Sequence, residues 1–131
     1  MLTAEQVRST LETLSPTEEK VDLAVRTAVE IARPSRVILF GSWPRGEARW
    51  DSDLDMAVLV EDERKTEISE LRKLLRLKLD AIPMSIDLIF ASEGYAAEFL
   101  DSINSVYYRI LSEGKTVYDN RDRSSSAGFA A

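Results

Sequence analysis

Val37-Ile-Leu-Phe-Gly-Ser-Trp-Pro-Arg-Gly46 leads through Glu47 to Ser52-Asp53-Leu-Asp55-Met-Ala-Val-Leu-Val60. The stretch reads as an apolar strand, a Gly-Ser turn, a polar excursion and a second apolar strand with two aspartates at its entrance. A strand repeats its facing every two residues, so Asp53 and Asp55 are expected on one side. Like charges about 4 Å apart at an effective dielectric near 20 repel by about 4 kcal/mol. A divalent cation such as magnesium is their natural partner. Twelve residues separate Phe40 from Asp53, too few for a full parallel crossover, so the two strands are expected to be antiparallel. Beyond the aspartates both faces of the second strand are apolar, with Leu54, Met56 and Val58 on one and Ala57 and Leu59 on the other. It is therefore expected to be a central strand.

Before this stretch, Thr3 and Gln6 form a capping box for a short helix carrying Val7, Leu11 and Leu14. Ser15-Pro16-Thr17-Glu18 signals a second helix start, with Ser15 as cap and Pro16 in the first position. Val21, Val25, Ala28 and Ala32 line one face until Arg33-Pro34 stops the helix. Gly41 supplies a turn, and Ser42 is expected to cap a short helix with Pro44 near its start, whose free N–H groups would hold an anion.

After Val60 comes a charged connector, Glu61 to Lys65. From Thr66 the positions Ile68, Leu71, Leu75, Leu79 and Ile82 keep helical spacing up to Pro83, with Arg72, Lys73, Arg76 and Lys78 on a solvated face. Ser85 to Phe90 is a third strand with Asp87 facing away from Ile86, Leu88 and Phe90. A long helix is expected from a Ser92 cap through Ala96, Leu100, Ile103, Tyr107 and Ile110 or Leu111 to Gly114. Thr116 to Tyr118 adds a short edge strand. The sequence supports one domain over residues 1–118, and residues 119–131, without periodicity, are expected to be a disordered tail.

With 131 residues, 44% hydrophobic and 31% charged, the composition is that of a globular protein. No apolar run reaches membrane-span length and no signal peptide is evident, so a cytoplasmic location without membrane contact is expected. Cysteine and histidine are both absent, leaving carboxylates for acid-base and metal chemistry. The net charge of −6 argues against an extended nucleic-acid groove, although not against a small nucleotide arriving with its metal.

The order of elements predicts an α/β fold, a small mixed sheet of three to four strands packed with helices. The third strand, reached through a helix, can run parallel to the second and bring Asp87 beside Asp53 and Asp55. An aspartate inside an apolar strand is costly if buried unless it is paired or metal-bound. Three carboxylates beside a Gly-Ser turn make a site for metal-bound phosphate.

Gly41-Ser42, ten intervening residues, Asp53-Leu-Asp55, Arg45-Gly46 between them and Asp87 downstream resemble the DNA polymerase β-like nucleotidyltransferase superfamily. The small size resembles its minimal nucleotidyltransferase group, antitoxins that stand beside HEPN ribonuclease toxins. The resemblance implies a polymerase β palm-like fold and transfer of NMP from a nucleoside triphosphate to an acceptor hydroxyl. It assigns two magnesium ions and the triphosphate to Asp53 and Asp55. Asp87 would hold the catalytic ion and assist deprotonation of the acceptor, while Gly41 and Ser42 cradle the β- and γ-phosphates. Arg45 is a candidate for phosphate or for a carboxylate partner, and Ser52 a candidate support of the metal site. Trp43-Pro44 before Arg45 departs from relatives with alanine there. Within this group the resemblance implies AMP transfer from ATP to a tyrosine of a HEPN toxin. The alternatives are transfer to a small molecule of the aminoglycoside type, and a non-catalytic antitoxin acting by occlusion.

Overall fold

The computed structural model describes residues 1–7 and 13–121. Thr3 and Gln6 form the expected capping box, Thr3 N–H donating to Gln6 Oε1 (2.8 Å) and Gln6 N–H to Thr3 Oγ1 (3.1 Å). Val7 and Leu14 of the expected stripe are both exposed, Leu14 in a turn, while Leu11 lies outside the described residues, as do positions 122–131 of the expected tail.

Helix α1 is Glu18–Ala32. Its cap is Thr17, two residues later than expected from Ser15-Pro16. Thr17 has extended backbone angles and its hydroxyl accepts the Lys20 N–H, so Glu18 and Glu19 fall in the first turn, where the helix dipole favours them. Lys20 Nζ then donates to the carbonyls of Thr13 (2.7 Å) and Ser15 (3.0 Å), fixing the entry loop. At the other end Arg33 takes the left-handed conformation, φ 46°, and donates its N–H to Val29 O. Arg64 donates to Arg33 O, putting a cation at the helix C-terminus.

The strands are β1 (Arg36–Phe40), β2 (Leu54–Val60), β3 (Ile86–Ser92) and β4 (Lys115–Asp119), in the order β3-β2-β1-β4. As the spacing demands, β1 and β2 are antiparallel, and β2 and β3 are parallel. β2 is an interior strand. β4 pairs antiparallel with β1, and the expected boundary at 118 falls inside it: Asp119 ends the strand, and Asn120 N–H donates to Ser35 O at 2.9 Å.

Strand parity sorts the core into two clusters. Leu54, Met56, Val58 and Val60 join Val37 and Leu39 beneath α1 (through Val21, Ala24, Ala28 and Ala32) and beneath α2, Ile68–Leu79. Ala57 and Leu59 face the other way, with Ile38, Phe40 and Ala91, and pack on Ala96 and Ile110. Between β2 and α2 the charged connector forms a 3-10 helix, Asp62–Glu67, and α2 ends at Leu79, four residues before Pro83.

Two expectations for the helices require correction. Arg72 and Arg76 do more than face solvent: they donate to the carbonyls of Phe90 (3.2 Å) and Ile86 (2.9 Å), covering the free edge of β3. The long helix after Ser92 is two short ones, α3 (Glu93–Ala97) and α4 (Val106–Glu113). Ser92 and Gly114 bound them as expected, but Asp101, Ser102 and Asn104 between them are residue types that favour turns and caps over helix interiors, and Ser105 starts α4 as a fresh cap. Leu100 and Ile103 are consequently exposed.

One polar junction ties these layers together. Arg36 donates to Glu93 through Nε (2.9 Å) and Nη2 (2.6 Å), and buried Ser35 sends its hydroxyl proton to Glu93 Oε2 at 2.7 Å. Burial pushes the Glu93 carboxyl up, but the hydrogen bonds from Arg36 and Ser35 outweigh it and hold the group below its ordinary 4.5. A depressed carboxylate stabilises the fold above the unfolded pKa, and this contribution is lost as pH falls through the folded value. Glu93→Gln should therefore cost about 1.5–3 kcal/mol in urea unfolding at pH 7. The difference from the native protein should narrow as the pH is lowered below 4.5. A difference that does not depend on pH would refute the ion-pair account.

Candidate active site

Asp55 is the second residue of β2 and Asp87 the second of β3, and the parallel register makes them direct neighbours. On its other side Asp55 is paired with Phe40, the last residue of β1. Gly41 therefore begins its turn beside that carboxylate. By strand parity Asp55 and Asp87 share the face of Ala57 and Leu59. Asp53 stands just before the strand and is exposed. Asp87 is exposed too, because β3 is the edge of the sheet, so the argument from a buried charge does not hold for it. Its register opposite Asp55 carries the case instead.

The acids act on one another. Burial, and after it the charges of Asp87 and Asp53, raise the Asp55 carboxyl above its ordinary 3.8, while Arg109 and Arg45 draw it back. A site that disfavours ionised Asp55 on its own is one that a cation would relieve. Among the described residues no three acids close into a finished metal cluster, and the set is an open one. Its donors are all carboxylate oxygens, the hard ligands magnesium takes, and magnesium usually fills its remaining positions with water and phosphate. In donor chemistry, though not as a gathered cluster, these residues suit the metal that the resemblance implies.

Gly41 has φ 76°, a conformation side chains rarely adopt. A Cβ there would stand 2.0 Å from Asp55 Oδ2 and 3.1 Å from Asp55 Cγ. Glycine is thus required twice, for the turn and for the carboxylate against it. The expected short helix after Ser42 is absent. Residues 41–46 are turns, with Gly46 N–H donating to Trp43 O (3.1 Å) and Glu47 N–H to Ser42 O (3.0 Å), and Gly46 again takes a positive φ of 71°. A helix N-terminus therefore supplies no anion site here, and phosphate would meet the turn itself.

The remaining candidates have defined contacts. Ser42 lies in the turn, half-buried, next to Gly41. Arg45 donates to Glu47 Oε1 at 2.8 Å, with both side chains largely exposed. Ser52 Oγ accepts the Arg49 N–H at 2.8 Å and Ser52 N–H reaches Arg49 O, so Ser52 shapes the loop that delivers Asp53. Trp43 packs on the core cluster of the α1 face and, with Pro44, borders a groove lined also by α1 and β4.

Sequence reading missed Arg109. It sits on α4, 54 positions after Asp55, within no motif, and only the topology brings it to the site. Its one signal is a cation interrupting the apolar stripe between Tyr107 and Ile110.

The family and the fold have counterparts among known proteins. Residues 25–123 match the family described as Polymerase beta, Nucleotidyltransferase. The crystal structure of a protein from Sulfolobus solfataricus, named provisionally as a nucleotidyltransferase, superposes with a TM-score of 0.52 at 17% identity. The match covers 88% of this chain and 87% of that one, a likeness of fold. No curated protein matches the chain. The family match spans β1 to β4. The chain belongs to the polymerase beta nucleotidyltransferase family.

Proposed function

We propose that the protein is a magnesium-dependent nucleotidyltransferase that moves AMP from ATP to a tyrosine hydroxyl of a HEPN-type toxin, acting as its antitoxin. Nucleotidyl transfer rests on the family. The observation that carries the reading at this site is the register of Asp55 opposite Asp87 on one side and against the Gly41 turn on the other. Two bound magnesium ions would supply charge stabilisation for the attacking and leaving oxygens. The chain's part is positional. Asp53 and Asp55 hold the metal-bound triphosphate, and the turn at Gly41 and Ser42 admits its β- and γ-phosphates. Asp87, exposed on the edge strand opposite Asp55, takes up the acceptor's hydroxyl proton. A bond forms from the acceptor oxygen to the α-phosphorus, the bridging bond to the β-phosphate breaks, and pyrophosphate leaves with that electron pair.

The choice of a protein acceptor is supported by the openness of the site. Asp53 and Asp87 are exposed, so a large partner can reach the reacting centre without entering a cleft. No helix among the described residues is long and apolar enough to cross a membrane. The test is incubation with magnesium and ATP labelled in the α-phosphate, with and without a HEPN-type protein encoded beside this one. Label on a tyrosine of the partner is expected. Label on an added aminoglycoside would replace the acceptor, and neutralisation of the toxin without labelling would point to occlusion.

A further inference from the structure

Phe40, Gly41, Arg45, Arg109 and Glu113 line a cavity of about 150 Å³ beside Asp55. It is bounded by the Gly41 turn on one side and by α4 on the other, and its two cations come from segments far apart in sequence. Arg45 is engaged by Glu47. Arg109 forms no ion pair within 4.0 Å among the described residues, although Glu113 lines the same cavity one helical turn away. Its guanidinium is close enough to act on Asp55, ahead of Arg45. A guanidinium fork of five N–H donors can bind phosphate oxygens bidentately. The cavity adjoins the Gly41 turn, to which the reading above gives the β- and γ-phosphates.

We infer that Arg109 is a nucleotide-positioning residue that binds the β- and γ-phosphates across the cavity from the Gly41-Ser42 turn. This rests on the nucleotidyltransferase reading above. It adds a role for α4: a helix that would otherwise only cover the sheet completes the triphosphate site. The preference would be for triphosphates over monophosphates.

The test is calorimetric titration, in magnesium buffer, of the native protein, Arg109→Gln and Arg109→Lys with ATP, inorganic tripolyphosphate and AMP. For Arg109→Gln, binding of ATP and of tripolyphosphate should weaken by about tenfold to a hundredfold, with AMP unchanged. Arg109→Lys should recover part of the loss. Because Arg109 is exposed, both variants should unfold at the native temperature. An equal loss for ATP and AMP would overturn the inference, as would tripolyphosphate binding that is unchanged, or absent from the native protein. Failure of the proposed acceptor would show differently, as intact triphosphate selectivity with no label on the partner.

Discussion

Replacing Asp55 by asparagine should abolish transfer while leaving the protein at least as stable as the native form. Asparagine keeps the shape of the side chain and removes the charge that must hold the metal-bound triphosphate. Losing several kcal/mol of transition-state stabilisation corresponds to about three orders of magnitude in rate. The stability expectation has the opposite sign, and the carboxyl's raised pKa sets it. A group whose folded pKa lies above its unfolded one destabilises the fold when ionised, so the cost grows as pH rises from the unfolded value and is fully present above the folded one. Asp55→Asn removes that cost. Thermal unfolding at pH 7 should occur at the same or a higher temperature than in the native protein, with the gap closing below about pH 3.8, the ordinary aspartate value. A mutant that is inactive and also markedly less stable would make Asp55 a structural residue.

Gly41→Ala should damage both properties at once. Holding alanine at a positive φ costs about 1–3 kcal/mol. The new methyl would also stand where Asp55 Oδ2 now lies, so the carboxylate must rotate away. The expected result is a melting temperature lower by several degrees, with metal-dependent ATP binding lost even where the fold survives. The double mutant Gly41→Ala, Asp55→Asn separates the two effects. Its carboxamide is no better accommodated, so if steric contact dominates the stability loss persists. If displaced charge dominates binding, the second substitution adds nothing further to the loss of affinity.

The parts of this molecule that follow a period of two were legible in its sequence. β1 ends at Phe40 and β2 at Val60 as expected, the antiparallel and parallel pairings follow from the connections between the strands, and parity together with the parallel pairing put Asp55 and Asp87 on one face. What was not legible depended on competition between local and tertiary preferences. Ser42 and Pro44 look like the start of a helix, but Gly41 and Gly46 both turn left-handed and leave no room to propagate one. The stripe from Ala96 to Leu111 looks continuous, yet Asp101, Ser102 and Asn104 break it, and Leu100 and Ile103 find no core to enter. Ser15-Pro16 reads as a cap and first helical position, yet Thr17 takes the cap, its hydroxyl accepting the Lys20 N–H. Asp87 had the right position for a different reason, because the strand it occupies is an edge. Arg109 could not be read at all, since its place at the site depends on how α4 crosses the sheet.

The central claim is that the acids at the ends of β2 and β3 bind a nucleotide through a divalent metal. It is tested most directly by titrating a non-hydrolysable ATP analogue into the native protein and into the Asp53→Asn, Asp55→Asn double mutant, each with magnesium and with chelator. Binding only by the native protein, and only with magnesium, is the predicted result. Equal affinity in all four titrations would contradict the account.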